Sequence, residues 1–99
     1  MFNKDIIVKD RKSIYIEKSD FKRLNEIKKM LSKHNISHAL NYVMNKVNYN
    51  LIDYTETKET DKQLISIEAD LYKTLMLIKL ERNVKSIASV VNSILKNYK

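Results

Sequence analysis

The chain has 99 residues, the size of one domain, and each half of it would bury too small a core to fold comfortably alone. It contains no cysteine, glycine or proline, which excludes a disulfide framework, a thiolate metal site and a glycine-rich phosphate loop. The net charge of +7 suits nucleic acid or another anionic surface.

This positive charge is unevenly distributed. Residues 1–50 carry eleven Lys and Arg against five Asp and Glu, whereas residues 51–99 carry eight against seven. The first half is therefore expected to favour a polyanion, and the simpler alternative is that the charge serves only solubility. We expect a cytoplasmic protein that does not bind membranes, because a chain without cysteine fits a reducing compartment. In addition, no apolar run approaches the roughly 18 residues of a membrane span.

An N-terminal arm, residues 1–10, precedes the first element and is either mobile or an extension of the following strand. From residue 11 onwards polar and apolar residues alternate, which predicts a short half-buried strand over residues 11–16. Ile14 and Ile16 are expected to face the core. The opposite face carries Arg11, Ser13 and Tyr15.

Two helices are predicted to follow this strand. The first runs over about 20–33 and is capped by Ser19 or Asp20, and the second runs over about 38–48 and is capped by Ser37. Apolar residues spaced three and four apart define the core side of each helix. In the first helix they are Phe21, Leu24, Ile27, Met30 and Leu31, and in the second Ala39, Leu40, Val43, Met44 and Val47.

Residues 49–61 lose the helical periodicity and become acidic, which predicts a linker whose charge keeps it away from a polyanion. A second strand is predicted over residues 62–67. Ile65 and Ile67 are expected to face its core side.

Two more helices complete the predicted second unit. Asp70 is expected to cap the first of them, and Lys85 or Ser86 is expected to begin the second. Leu77 and Leu80 widen the apolar surface of the first helix, which indicates a more enclosed position for this unit.

The two units are related by an internal repeat. Seven of the fifteen positions 14–28 hold the same residue as the position 51 further along the chain. They are Ile14, Ile16, Glu17, Lys22, Leu24, Ile27 and Lys28. Beyond them the apolar spacing matches at an offset of 48, starting from Ile36 and Val84, which predicts that the second inter-helix turn has lost three residues. The pattern indicates a duplication.

A strand followed by two helices within about 40 residues resembles the ribbon-helix-helix family of Arc/MetJ-type repressors. The resemblance is carried by Ile14-Tyr15-Ile16 through Val47, and by Ile65-Ser66-Ile67 through Leu95. It implies a mainly α fold with a short two-stranded antiparallel ribbon, in which two units of one chain share one core. The units would be residues 11–48 and 62–99, joined by the linker 49–61 into one pseudo-dimeric domain, 11–99.

The resemblance also implies a function. In that family the ribbon enters the major groove of double-stranded DNA, so we expect a sequence-specific transcriptional regulator, most simply a repressor. By position, the base-reading residues would be Arg11, Ser13, Tyr15, Lys62, Leu64 and Ser66, and the phosphate-binding residues at the helix starts would be Ser37, His38, Lys85 and Ser86. Leu64 departs from the family pattern and offers only van der Waals contact, for example to a thymine methyl group. Whether chains pair further on DNA stays open.

Two other classes of function compete with DNA binding. One is a helical adaptor or oligomerisation module that binds protein and uses its charge for solubility. The other is an enzyme, which we do not expect because no carboxylate pair, Cys/His couple or metal set has a workable spacing. His34 and His38 lie four apart, but the turn predicted between them argues against a metal site. No cofactor is expected.

Overall fold

The computed structural model describes residues 10–32, 35–57 and 61–98. The chain forms a strand and two helices, and then the same three elements again. They are β1 (Arg11–Glu17), α1 (Lys18–Met30), α2 (Ile36–Lys46), β2 (Lys62–Glu68), α3 (Ala69–Glu81) and α4 (Ile87–Lys96). The expected mainly helical fold with a two-stranded antiparallel ribbon is confirmed. The prediction for the N-terminal arm, apart from Asp10, lies outside the described residues.

The two strands pair antiparallel, with Ile14 opposite Ile65. Side chains alternate between the two faces of the ribbon, and the isoleucines of the inner face are at most 6% exposed. These isoleucines are Ile14, Ile16, Ile65 and Ile67. Each strand is one residue longer at its C-terminal end than the sequence pattern predicts, and both strand predictions are otherwise confirmed.

The two halves are related by a pseudo-two-fold axis. Every element of the second half begins 51 residues after its counterpart, and the two central residues of the ribbon, Ile14 and Ile65, are themselves 51 apart. The axis therefore passes between these two residues. A pair of related hydrogen bonds extends the ribbon: the N–H of Lys18 donates to the carbonyl of Asp61 at 3.2 Å, and that of Ala69 donates to the carbonyl of Asp10 at 3.0 Å.

The offset also stays at 51 through the inter-helix turns. Each turn contains a residue with positive φ, Ser32 at 53° and Asn83 at 56°, and these residues are 51 apart. The N-cap residues of the helices that follow, Asn35 and Ser86, are also 51 apart. The predicted loss of three residues is therefore wrong. A shift of three along a helix brings an apolar stripe close to its original position, so apolar spacing alone did not fix the alignment.

The first helix of each unit begins directly from the strand. Glu17 and Glu68 occupy the N-cap positions, and neither side chain makes a capping hydrogen bond. The predicted caps Ser19, Asp20 and Asp70 are therefore wrong. The first N–H group of each helix donates instead to the carbonyl that directly precedes the opposite strand, that of Asp61 or Asp10, a contact between distant residues that a local capping pattern does not contain.

Met30 was expected to face the core, and Leu77 and Leu80 were expected to widen the apolar surface of a more enclosed unit, but all three side chains are exposed. Met30 is 82% exposed at the end of α1, and Leu77 and Leu80 are 58% and 67% exposed on α3. The predicted core role of Met30 is therefore wrong, and Leu77 and Leu80 do not indicate a more enclosed position for the second unit. The core side of α1 is narrower than its apolar content suggests and is formed by Leu24 and Ile27.

The second helix of each unit is capped by a side chain. In α2 the cap is Asn35, whose Oδ1 accepts a hydrogen bond from the N–H of His38 at 2.9 Å. Ser37 lies inside the helix and is 1% exposed, so its predicted role as the cap is wrong. Its hydroxyl accepts a bond from the N–H of Glu68 at 3.1 Å and ties α2 to β2. Ser86, one of the two expected starts of α4, is confirmed as its cap.

One hydrophobic core is built from both halves, as expected. Its most enclosed large side chains, all below 2% exposed, are Ile16, Leu24, Leu40, Ile67, Leu75, Ile94 and Leu95. A polar contact also joins the halves, because the guanidinium of Arg23 donates to the carbonyls of Leu95 and Tyr98 at 2.7 and 2.6 Å. Arg23 therefore closes the C-terminal end of α4, where carbonyl groups lack helical partners.

The predicted linker forms no helix or strand over its described part, residues 49–57 and 61, and residues 55–57 pack against α4. The N–H of Thr55 donates to Ser93 Oγ at 3.1 Å, and the N–H of Thr57 donates to Ser89 Oγ at 2.9 Å. We call residues 55–57 the strap. Nearby, burial raises the pKa of Tyr54 to about 12, although the charge of Arg82 opposes this shift. Residues 49–57 of the linker are thus part of the folded structure.

Candidate nucleic-acid interface

The six residues proposed as base readers share the outer face of the ribbon, because directly opposite residues of an antiparallel pair point to the same side. They are Arg11, Ser13, Tyr15, Lys62, Leu64 and Ser66. Ser13 lies opposite Ser66, and Tyr15 lies opposite Leu64. Tyr15 and Leu64 are 60% and 48% exposed, so the centre of this face presents large side chains to solvent.

Arg11 lies across the ribbon and is held by the other strand. Its Nε donates to Ser66 Oγ at 3.0 Å, and its Nη2 donates to the carbonyl of Ser66 at 2.8 Å. These bonds use two of the five N–H groups of the guanidinium, which leaves three for a base edge or a phosphate. The cross-strand pair orders a long side chain that would otherwise be mobile. Strand alternation predicted the face of Arg11 but not this partner.

A groove of about 360 Å³ lies between the ribbon and the start of α4. Tyr15 and Lys62 of the ribbon line one side, and Ser86 lines the α4 side. Tyr72 and Lys79 of α3 also line it, and sequence reasoning did not assign either of them to a site. A signal for Lys79 was present, because Lys79 is one of the seven residues repeated at an offset of 51.

The start of α4 already holds a carboxylate of the same chain. Ser86 Oγ accepts from the N–H of Ser89 at 3.1 Å, as an N-cap does. One residue earlier, the N–H of Lys85 donates to Glu56 Oε2 at 2.8 Å. Glu56 belongs to the strap, so the linker lies against the start of α4, one of the two helix starts that were expected to bind phosphate. Sequence reasoning assigned this segment a repulsive charge but no place in the fold.

The other helix start that was expected to bind phosphate is that of α2, which contains Ser37 and His38. The hydroxyl of Ser37 is buried and bound to Glu68, so any contact of Ser37 with a phosphate would have to come from its main chain. The N–H of His38 is used by the cap, Asn35. The positive end of the α2 dipole still lies at this position.

A buried polar cluster lies at the junction of β1 and α1. The amide Nδ2 of Asn92 donates to Glu17 Oε1 at 2.8 Å and to Asp20 Oδ2 at 3.1 Å. Both acids are buried, and Glu17 Oε2 has no hydrogen-bond partner. The cluster joins α4 to the first unit. Over residues 10–32, 35–57 and 61–98, no group of three His, Cys, Asp or Glu residues is placed to hold a metal ion.

Among the described residues, no helix is both long and apolar enough to cross a membrane. No family model, no curated protein and no solved structure matches the chain. A functional proposal for this chain therefore rests on its ribbon, its charge and its helix starts.

Proposed function

We propose that this chain is a sequence-specific double-stranded DNA-binding protein of the ribbon-helix-helix type, with both units in one chain, and that it represses transcription in the cytoplasm by covering its operator. The observation that carries the proposal is the outer face of the ribbon, which presents polar and basic side chains to solvent on a pseudo-symmetric two-stranded frame. A two-stranded ribbon fits the width of the major groove, and every second side chain can reach a base edge.

The side chains of this face can read bases in distinct ways. Arg11 can bind guanine O6 and N7, and Tyr15 can add a hydroxyl contact. Ser13 and Ser66 can bond to several base edges, and Leu64 can contact a thymine methyl group. Because Arg11, Ser13 and Tyr15 correspond to Lys62, Leu64 and Ser66 in the repeat, the two strands read with different side chains. An operator that is not a perfect palindrome follows from this difference.

The helix starts and the neighbouring lysines would hold the DNA backbone. The proposed phosphate contacts are Ser37 and His38 at the start of α2 and Lys85 and Ser86 at the start of α4. Such contacts fix the register of the ribbon without reading sequence. Lys62 and Lys79, which line the groove beside α4, add positive charge on the same side. Each phosphate neutralised in this way makes binding more sensitive to salt.

A protein-binding adaptor is the second candidate, and one observation favours it. Leu77 and Leu80 lie one turn apart on α3 and are mostly exposed, and such a face suits a partner helix. Salt separates the two candidates, because DNA binding through phosphates weakens steeply as the salt concentration rises, whereas binding through leucines does not.

Arg11→Ala tests the proposed reading face. We expect it to cost about 1–3 kcal/mol on the preferred duplex and to relax preference at one base pair, because a guanine contact is lost. Fluorescence anisotropy on preferred and scrambled duplexes measures both effects.

Lys96→Ala is the matched control for Arg11→Ala. It removes the same charge from the last turn of α4, at the opposite end of that helix from Ser86. We expect it to weaken binding to both duplexes slightly and equally. Equal effects of Arg11→Ala and Lys96→Ala on both duplexes would contradict a reading role for Arg11.

A further inference from the structure

The strap is held on α4 by two serines of that helix. Ser93 and Ser89 are each 1% exposed, and their hydroxyls bind the main chain of Thr55 and Thr57. As the residue numbers of the strap rise, those of its partners fall, so the strap runs towards the start of α4. Glu56 lies between the two anchored residues, and this places its carboxylate at the N–H of Lys85.

The first unit lacks the two serines that anchor the strap. The positions 51 residues before Ser89 and Ser93 are His38 and Tyr42, which cannot supply the same small hydroxyl contacts. The carboxylate of Glu56 meets an N–H beside the positive end of α4, and this end also borders the groove that contains Lys62 and Lys79. A carboxylate in that place meets the same N–H group and the same field that a DNA phosphate would meet.

We propose that Glu56 is an internal phosphate mimic that competes with the DNA backbone for the start of α4 and thereby lowers the affinity of the protein for DNA. This inference rests on the proposed function. A phosphate that approaches the N–H of Lys85 is repelled by the negative charge of Glu56. The Glu56 side chain must turn away before a phosphate oxygen can accept a hydrogen bond from that N–H. The strap itself remains in place, because its serine contacts involve the main chain.

The test compares Glu56→Gln with Asp53→Asn in the full chain. Both substitutions remove one negative charge from the linker, and Asp53 is exposed three residues before Glu56. A glutamine keeps an oxygen that can accept from Lys85, so Glu56→Gln is expected to melt close to the wild type. Glu56→Ala, a second variant, removes the group altogether. Affinities for a short duplex of mixed sequence are measured by anisotropy over a range of salt concentrations.

We expect both Glu56 variants to bind the duplex about fivefold more tightly than Asp53→Asn does, the size of one contact at a helix start. If the Glu56 and Asp53 variants gain equally, Glu56 is only one more negative charge and the inference is wrong. If the Glu56 variants bind DNA less tightly than the wild type does, the carboxylate helps the start of α4 to bind phosphate instead of blocking it, which also overturns the inference.

A second measurement separates this inference from the proposed function. Inorganic phosphate is titrated into each protein while the backbone amide signals of Lys85 and Ser86 are followed by NMR. We expect these signals to move in the Glu56 variants but not in the wild type or Asp53→Asn. If no variant binds any duplex, the proposed function fails. In that case the phosphate titration alone tests the role of Glu56, and equal responses in all four proteins would overturn that role.

Discussion

The two halves of the chain, residues 1–60 and 61–99, are each expected to be unfolded when they are produced separately, and to fold when they are mixed. Ile16 and Ile67 have no exposed surface in the intact chain, and each lies in a core that the other half completes. Neither half can bury enough apolar surface alone to offset the loss of conformational entropy. The expected effect is the loss of nearly all native helical signal.

Circular dichroism of each half and of the mixture measures this effect. Without the linker the halves associate as two molecules, so the folded fraction of the mixture should rise with concentration. Arg23 should contribute to the pairing, because it binds carbonyls at the C-terminal end of α4. Cooperative unfolding of residues 1–60 as a monomer would show that the core is not shared.

Ile16→Ala is expected to destabilise the intact chain by about 2–5 kcal/mol, the range for truncating a large buried side chain to alanine. Ile16 has no exposed surface and lies on the inner face of the ribbon. For a domain of this size the melting temperature should fall by about 10 °C or more. Thermal and urea unfolding followed by circular dichroism measure the change.

Tyr15→Ala provides the control at the neighbouring position. Tyr15 is 60% exposed on the outer face, so we expect its truncation to change stability by less than about 1 kcal/mol. The two variants should therefore separate, with Ile16→Ala affecting folding and Tyr15→Ala affecting DNA binding. A large loss of stability in Tyr15→Ala, with little change in Ile16→Ala, would mean that the two faces of the strand are assigned the wrong way round.

The strands and their inner face were predictable because a two-residue alternation is a local signal. Ile14 and Ile16 lie where the alternation places them, and their counterparts Ile65 and Ile67 lie at the same positions of the second strand. The resemblance to the ribbon-helix-helix family implied that the two strands pair within the chain, and they do. The start of α4 was predictable to within one residue, Lys85 or Ser86, since a serine at a helix start is a local pattern, and Ser86 is the cap.

The features that escaped prediction depend on contacts between distant residues. Glu17 and Glu68 precede their helices without a side-chain cap, and the first N–H group of each helix bonds to the residue that precedes the opposite strand. Ser37 resembles a cap in the sequence, but it is buried and bonded to β2. The contact between Glu56 and Lys85 joins residues 29 positions apart, and no spacing rule suggests it.

The most direct test of the central claim is selection of bound duplexes from a random DNA pool by the intact protein. A ribbon that reads the major groove should enrich one short motif. The two halves of that motif should differ, because the counterparts of Ser13 and Tyr15 in the second strand are Leu64 and Ser66. Binding to this motif should weaken steeply with salt in proportion to the phosphates neutralised. Recovery of an unenriched pool, or equal and salt-insensitive binding to all duplexes, would contradict the account.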